Sequence, residues 1–508
     1  MPANDFAPPP RADAPRDAYA VIRGRLEQAE YSQPNVCAYF GLSRFSRFFE
    51  GHAQEDFPLT IDSPLSALCQ VFLLGRSVQA PLLRAQLGDP FVDACLETGL
   101  LFPFDTAPDA LIASATLYPL SEIWIASDRV ILLPGLEDRA QTDVVYPAAT
   151  GSAEVFLSLL PRRACGRFLE VCAGCGPAAV LAGDFAEEVT ASDLEPRSAA
   201  FAAFNGQLNN VDAFRSIAGS YYEGTQGQYD LIAAHPPYMP SLGSSETYYG
   251  GGLDGTEILR GLLAQLSLKL APGGFFYFVA MVPQGTGRPL EQNIRLWLGE
   301  EAAHFDIFSF PLHTTSIHDL ALSVVVKNAG GMPRMIRFER ELADLGHEEF
   351  VMGAVIVRRH TGEEIPTDHR RKLGVRTTWR ELLWCVDWEC ASKQPSLLPE
   401  ILAHPLKIRP EFELRATHKP SAEGLPPVRF DAITQYPFAM ESQIQDWMSY
   451  LLARADGSLS GEDLMKSLIA DKLLHPETPA TTFAQLLRTF VSGGFLESPI
   501  CPLPSAAE

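Results

Sequence analysis

The sequence predicts an α/β protein centred on a parallel sheet, with a helical region before it and an α+β region after it. Three observations carry that reading. Between about residues 145 and 330, short apolar strands alternate with helical segments, the pattern of a parallel sheet covered by helices. Before it, "SPLSALCQVFLLG" opens on a Ser-Pro start signal and closes at Gly75, and "SVQAPLLRAQLGDPFVDACLETGLL" continues in helical spacing. After it, Pro-rich stretches near 395–428 mark a boundary, and "DGSLSGEDLMKSLIADKLLHPETPATTFAQLLRTFVSGGFLE" closes as two amphipathic helices and an apolar turn.

The expected strands of the sheet are "RFLEVC", "EVTASD", "FRSIAG", "YDLIAA" and "GGFFYFVAMV". "HFDIFSFPL" and "DLALSVVVKN", parted by a short polar turn, read as a hairpin at the sheet edge, and "SEIWIASDRVILLP" reads as paired strands ahead of the sheet. "RFERELADLGHEEFVMGAVIVRRH" reads as a helix and a strand that extend the central domain. The resulting division is a disordered tail over 1–17, a helical or winged-helix-like domain over 18–144, the sheet domain over 145–330, an α+β extension over 331–430 and a winged-helix-like domain over 431–508.

Bulk composition narrows the function classes. A chain of 508 residues with 46% hydrophobic residues fills several cores. No run of 18 apolar residues occurs, and "MPANDFAPPPRADAPRD" lacks an apolar signal core, so a soluble cytoplasmic protein with no membrane partner is expected. Nine cysteines spread from Cys37 to Cys501 imply free thiols in a chain this large. A net charge of -22 opposes phosphate backbones, which disfavours nucleic acid as partner.

"RFLEVCAGCGPAAVLAGDF" places Glu170 in a strand that runs into the turn Cys172, Ala173, Gly174, Cys175 and Gly176 and then into a helix. Glycines there let the backbone approach a nucleoside at the carboxyl end of a strand. The next strand ends at Asp193, 23 residues after Glu170, where a carboxylate can accept both ribose hydroxyls. Cys172 and Pro177 interrupt a full dinucleotide fingerprint. Cys172-x-x-Cys175 has metal-ligand spacing, but no second Cys/His pair follows at the required distance, so no metal is expected.

Sixty-five residues after Glu170 comes "YDLIAAHPPYMPS", a strand feeding His235, Pro236, Pro237 and Tyr238. Prolines strip the loop of backbone donors and leave carbonyls facing outward, while Tyr238 offers a flat face. In that order, "EVCAGCG", "ASDLEPRSAAFAAFNGQLNNV", "YDLIAAHPPYMPS", "GGLDGTEILRGLL" and "LAPGGFFYFV" resemble the class I S-adenosylmethionine-dependent methyltransferases of the small-domain type, among them release-factor glutamine and ribosomal-RNA guanine methyltransferases. The likeness runs from about Val145 to Asn328. It implies a Rossmann-like, seven-stranded methyltransferase domain and S-adenosyl-L-methionine as cofactor.

Position by position, the resemblance puts Glu170, Cys172, Ala173, Gly174 and Gly176 around the methionine side of the cofactor, Asp193 on the ribose and Leu194 beside the adenine. Ser220 stands where many relatives carry an acid that reaches the adenine amino group. Asn205 falls at a helix position near the catalytic turn, and reads equally as a surface or capping residue. Relatives begin the tetrapeptide with Asn or Asp, whose side chain and the next Pro carbonyl hold a substrate –NH2 while the aromatic ring stacks on it. Here the first residue is His235, followed by Pro236 and Tyr238. Neutral imidazole can accept one hydrogen bond, and its ordinary pKa also suits a general base, so both roles stay open.

Tyr248, Tyr249 and Asp254, in the Gly-rich "SETYYGGGLDGTEILRGLL", are expected to line or close over substrate. His313 and His318 read as solvated turn residues. The expected activity is methyl transfer to a nitrogen of a protein side chain or of a peptide-like or other small molecule. A ribosomal- or transfer-RNA base methyltransferase and a non-catalytic cofactor-fold scaffold are the alternatives.

Overall fold

Residues 274–283 are buried without a break, which only a strand covered on both faces allows. This strand lies near the middle of the main sheet. The computed structural model describes residues 7–49, 60–104, 107–129, 143–240, 251–327, 331–422 and 424–502. The chain divides into two units, residues 1–307 with 313–367, and residues 308–312 with 368–508.

In the first unit a hairpin of β1 (Thr116–Leu120) and β2 (Ile123–Ser127) precedes the main sheet. The chain then runs through α1 (Gly151–Ser158), β3 (Cys165–Val171), α2 (Pro177–Ala182), β4 (Ala186–Asp193), α3 (Pro196–Leu208), β5 (Phe214–Ala218) and β6 (Tyr229–Ala234). It continues with α4 (Glu257–Ala264), β7 (Leu270–Gln284), α5 (Leu290–Leu298), β8 (Phe305–Ser316), α6 (Ile317–Lys327) and β9 (Glu349–Arg359). Among the described residues the sheet has eight strands rather than the seven expected: these order as β8-β9-β7-β6-β3-β4-β5, and Asp368–Arg370 follows beyond β8. The pairs β3/β4, β4/β5, β3/β6 and β6/β7 are parallel, and β7/β9 is antiparallel over ten residue pairs. This mixed α/β sheet is Rossmann-like.

One edge departs from the sequence reading. Of "DLALSVVVKN", expected as the second strand of a hairpin, residues 319–327 lie in helix α6 and Asn328 is outside the described residues. The helix start carries the reason: Ser316 Oγ accepts from Asp319 N at 3.1 Å and donates to the Asp319 carboxylate, a reciprocal helix cap that outweighs the β-branched run behind it. The antiparallel strand is β9, from beyond residue 330, which pairs Phe275 with Arg358 and Gln284 with Glu349. His318, expected in a solvated turn, sits in α6 with Nδ1 2.7 Å from Glu339.

The core follows from the period of two along β7. Phe276, Phe278, Ala280 and Val282 share one cluster with Leu259, Leu262 and Leu263 of α4 and with Leu290, Ile294 and Leu298 of α5. On the other face Tyr277 reaches α1, its hydroxyl donating to Phe156 O at 2.8 Å. Residues 7–15, expected within an unstructured tail, hold to this unit: Arg11 N donates to Thr98 O at 2.7 Å and Arg197 Nη2 donates to Ala7 O at 2.7 Å.

Within the second unit, Asp368–Arg370 runs beside residues 308–312, with Arg371 N donating to Ser309 O at 3.0 Å. Glu413–His418, Pro427–Thr434 and Met440–Ile444 form an antiparallel meander. Pro405–Ile408 lies between Asp456–Ser460 and Leu496–Glu497, with the helices Gly461–Ala470 and Ala480–Ser492 between those outer strands in the chain. Its core includes stacked Trp384 and Trp388, whose centroids are 6.4 Å apart. All nine cysteines are free thiols. Among the described residues no helix is long and apolar enough to cross a membrane.

Candidate active site

Sheet register brings the expected site together. Val171 at the end of β3 pairs with Ser192 of β4 on one side and with Ala234 of β6 on the other. Cys172, Asp193 and His235 are therefore each one step beyond the same rung of three adjacent parallel strands. Neighbouring strands lie about 4.8 Å apart, so three residues distant in sequence share one carboxyl edge. That edge is where the strand order reverses, between β3 and β6, and such switch points form the crevice of open α/β sheets.

The turn after β3 is held from both ends. Both oxygens of Glu170 accept from the start of α2, from Ala178 N at 3.3 Å and Ala179 N at 2.7 Å. Burial pushes this carboxyl up to about 8 despite those bonds. Asp193 accepts from Gly174 N at 2.8 Å and from Glu195 N at 3.0 Å. Its pKa is also raised by burial. Ser198 and the Leu194 backbone also hydrogen-bond to this carboxylate, so it is held at the strand end.

Three residues of this turn have positive φ: Cys172 at 55°, Gly174 at 53° and Gly176 at 74°. A Cβ on Gly176 would stand 2.9 Å from Ala202 Cβ of α3, so only glycine lets the helix approach this closely. A Cβ on Gly174 would meet nothing within 4 Å, so the turn is open on that side. Cys172 adopts the left-handed conformation without glycine's freedom, at a cost of order 1 kcal/mol. Burial raises the thiol pKa of both Cys172 and Cys175, so both are protonated thiols at neutral pH. Leu194 is exposed and follows Asp193 directly. Gly219 N donates to Asp193 O at 2.8 Å, which sets exposed Ser220 beside the same strand end.

Past β6, the ring of His235 packs on Phe156 with centroids 5.3 Å apart and planes 15° apart. Tyr238 stands 5.8 Å away, tilted by 49°. Nε2 of His235 is buried and has no hydrogen-bond partner among the described residues. Burial lowers its pKa to about 4, so the imidazole is neutral at physiological pH. Phe156 was not singled out from the sequence, because an aromatic in "AEVFLSLL" looks like any core residue of an amphipathic helix.

The described end of the Gly-rich segment, from Gly251 on, packs against this loop. Gly251 N donates to Met239 O at 3.0 Å, and a Cβ on Gly255, where φ is 78°, would stand 2.1 Å from Tyr238 O. Asp254, expected to face substrate, turns to its own chain: it accepts from Thr256 N at 3.1 Å and Thr256 Oγ1 at 2.7 Å, and lies 3.1 Å from His347 Nε2. Tyr248 and Tyr249 lie outside the described residues.

Among the described residues, Asp306, His360 and Glu364 come within metal-ligand reach of one another. Arg358 already bridges the two carboxylates, at 3.0 Å and 2.8 Å. The cluster lies by the end of β9 that pairs with Phe275, at the opposite edge of the sheet from the turn and His235.

Residues 149–296 match the family described as Methyltransferase small domain. A release factor glutamine methyltransferase of Deinococcus radiodurans is 32% identical over 97 residues, covering 17% of this chain and 34% of its own. A release factor glutamine methyltransferase of Bradyrhizobium diazoefficiens is 26% identical over 192 residues, covering 35% and 57%. The chain thus spans about a third to somewhat over half of these relatives. A solved methyltransferase structure from Pyrococcus furiosus aligns at 18% identity over 39% of this chain and 77% of its own, with a TM-score of 0.26. The turn, the carboxylate and the tetrapeptide all fall within the segment 149–296 that matches the methyltransferase small domain family.

Proposed function

We propose that the protein transfers a methyl group from S-adenosyl-L-methionine to a nitrogen of a protein side chain or of a peptide-like or other small molecule. The observation that carries this reading is the shared rung: Val171 pairs with both Ser192 and Ala234, so the turn, Asp193 and His235 meet at one edge. Cys172, Ala173, Gly174 and Gly176 would hold the methionine side of the cofactor, Asp193 the ribose diol and Leu194 the adenine, with Ser220 at the rim. When bound, the cofactor supplies an electrophilic methyl group.

The chain's own part is orientation. Neutral His235 accepts a hydrogen bond from the incoming nitrogen, Pro236 offers a carbonyl, Tyr238 flanks the acceptor, and the proton displaced on methylation leaves to solvent. Orientation of this kind exposes the nitrogen lone pair toward the methyl group. An unpartnered Nε2 and a pKa near 4 favour acceptance of a hydrogen bond over general-base work, since so weak a base takes up little proton at neutral pH. The glutamine specificity in the relatives' names supports a nitrogen acceptor. The net charge of -22 supports a protein or small molecule over nucleic acid. Residues 18–144 and 331–508 serve this domain as accessory parts.

Calorimetry with S-adenosylmethionine and its demethylated product, S-adenosylhomocysteine, tests the cofactor. Label transfer from methyl-radioactive cofactor into the protein, RNA and small-molecule fractions of a lysate tests the acceptor. Binding together with label in protein or small molecules is expected. Label confined to RNA would overturn the acceptor class, and absence of binding would overturn the enzyme.

A further inference from the structure

Two asparagines one turn apart, Asn205 in α3 and Asn209 at its C-cap, treat the edge of β2 as a third strand would. Asn205 Oδ1 accepts from Ala126 N at 2.8 Å and its Nδ2 donates to Ala126 O at 2.9 Å. Asn209 repeats the pattern two residues earlier on β2, accepting from Trp124 N at 2.9 Å and donating to Trp124 O at 2.7 Å. The i, i+4 spacing of a helix face matches the i, i+2 spacing of a strand face, so two carboxamides satisfy four backbone groups.

The further bond of Asn209 returns to its own helix, Nδ2 donating to Asn205 O at 2.8 Å, whereas that of Asn205 reaches the cofactor turn. Fully buried, Asn205 also donates from Nδ2 to Cys175 O at 2.8 Å, inside the cofactor turn. The same hairpin reaches that turn a second way. Tyr118 of β1 lies with its hydroxyl 3.9 Å from Cys175 Sγ and accepts from Ala148 N at 2.7 Å. Asp193 fixes the inner side of the turn through Gly174 N, and Asn205 fixes the outer side through Cys175 O. The carbonyl of Cys175 belongs to the peptide that ends at Gly176 N, so its orientation sets the backbone facing the ligand.

We propose that Asn205 is a positioning residue for the cofactor and that the β1–β2 hairpin, outside the matched segment 149–296, is a working part of the cofactor site. This rests on the methyltransferase reading above. Asn209 supplies an internal control, since it makes the same strand contacts and does not touch the turn.

The test uses the full chain and S-adenosylhomocysteine as probe. In Asn205→Asp the acceptor for Ala126 N is kept, but both donors are lost and a carboxylate faces two carbonyl oxygens. Its Kd is expected to rise about tenfold or more, because a buried carbonyl left without its donor costs on the order of one such factor. Asn209→Ala is expected to lower Tm comparably while holding Kd within about twofold. Amide exchange at Gly174 and Gly176 in the ligand-free chain is expected to quicken in Asn205→Asp and not in Asn209→Ala. Tyr118→Phe removes one hydroxyl while keeping the ring, and serves if the Asn205 variant does not fold; a several-fold rise in Kd is expected. Equal Kd changes for Asn205→Asp and Asn209→Ala, or an unchanged Kd in Tyr118→Phe when only that variant folds, would overturn the positioning role and leave the enzyme reading intact. A wild-type chain that binds no cofactor would overturn both.

Discussion

The imidazole of His235 is the end ring of a stack in which Phe156 lies between it and Tyr277. Phe156 stands 5.3 Å from His235 at 15° and 5.5 Å from Tyr277 at 11°, and the Tyr277 hydroxyl is tied to Phe156 O. A sheet residue, a helix residue and the loop after β6 thereby share one plane direction. Stacked rings contribute about 0.5–1.5 kcal/mol beyond area burial, enough to fix which way a small imidazole faces. Phe156→Leu keeps apolar volume but loses that plane. We expect a roughly tenfold lower kcat with the cofactor Kd little changed, and recovery in Phe156→Tyr. An unaltered kcat in Phe156→Leu would mean that the stack does not orient the imidazole.

The same burial predicts a pH profile. With its pKa near 4 rather than 6.5, His235 stays neutral throughout pH 6–8, so its titration should leave no limb in the rate there. His235→Asn, another neutral acceptor, should keep measurable activity, whereas His235→Ala should lose it. Between pH 6.5 and 4 the unfolded chain binds a proton that the folded chain refuses, so stability falls as pH falls through that window. His235→Asn should therefore gain Tm relative to wild type on going from pH 7.5 to 5. A wild-type rate limb near 6.5 would restore the general-base role.

Glu170 predicts proton release. Burial holds its pKa near 8 against an ordinary 4.5, so the folded chain keeps a proton between those values that the unfolded chain has lost. Stability should decline as pH rises through that window. A cationic ligand in the adjacent turn favours the carboxylate, so S-adenosylmethionine binding at pH 7.5 should expel the proton, and more so than S-adenosylhomocysteine. Calorimetric enthalpies measured in buffers of different ionisation heat should differ in wild type and agree in Glu170→Gln. Buffer-independent wild-type enthalpies would contradict this.

Much of this site was legible because its residues sit at strand ends with local signatures. Glu170, the glycines, Asp193 and His235 each close an apolar run, and their order alone placed them on one edge. What the sequence concealed depends on non-local packing. Phe156 is indistinguishable in sequence from core neighbours such as Leu157, and Asn205 has a surface residue's chemistry in a fully buried place. The hairpin expected from "HFDIFSFPL" and "DLALSVVVKN" failed for a different reason, since the Ser316–Asp319 cap was a readable helix start that apolar β-branched content overshadowed. Asp254 pointed to substrate in sequence because a Gly-rich loop usually faces outward, yet its partner His347 is 93 residues away.

The Asp254–His347 pair predicts coupling between the Gly-rich segment and the residues that lead into β9. Both side chains are largely buried, at 16% and 10% exposure, so the contact is not a screened surface pair. Although burial alone would raise it, the Asp254 pKa is lowered by hydrogen bonds from His347 and Thr256. Its stabilisation is present above the ordinary carboxylate value and lost as pH falls through the lowered one. Asp254→Asn and His347→Gln should each raise the acceptor KM several-fold, since Gly255 in the same turn rests on Tyr238 O. The double variant should be little worse than either alone. Additive effects would show the pair to be incidental.

Arg197 and Asp128 form the buried ion pair that anchors the N-terminal segment and the end of β2 to the start of α3. Asp128 is fully buried, accepts from Arg197 Nε at 2.9 Å and from Val145 N at 2.9 Å, while Arg197 also holds Ala7 O. Burial raises the Asp128 pKa in spite of Arg197, so removing the guanidinium strands a charge that the site already disfavours. Breaking one side of such a pair typically costs about 3–5 kcal/mol. Arg197→Met should fall in that range at pH 8 and lose less at pH 5, because protonation of Asp128 relieves the stranded charge and the stability deficit shrinks as pH falls. Adding Asp128→Asn, which keeps an acceptor for Val145 N, should recover a large part of the loss and remove its pH dependence. Chemical denaturation of the two variants at both pH values decides it: a deficit in Arg197→Met that ignores pH would mean that the stranded carboxylate is not its source.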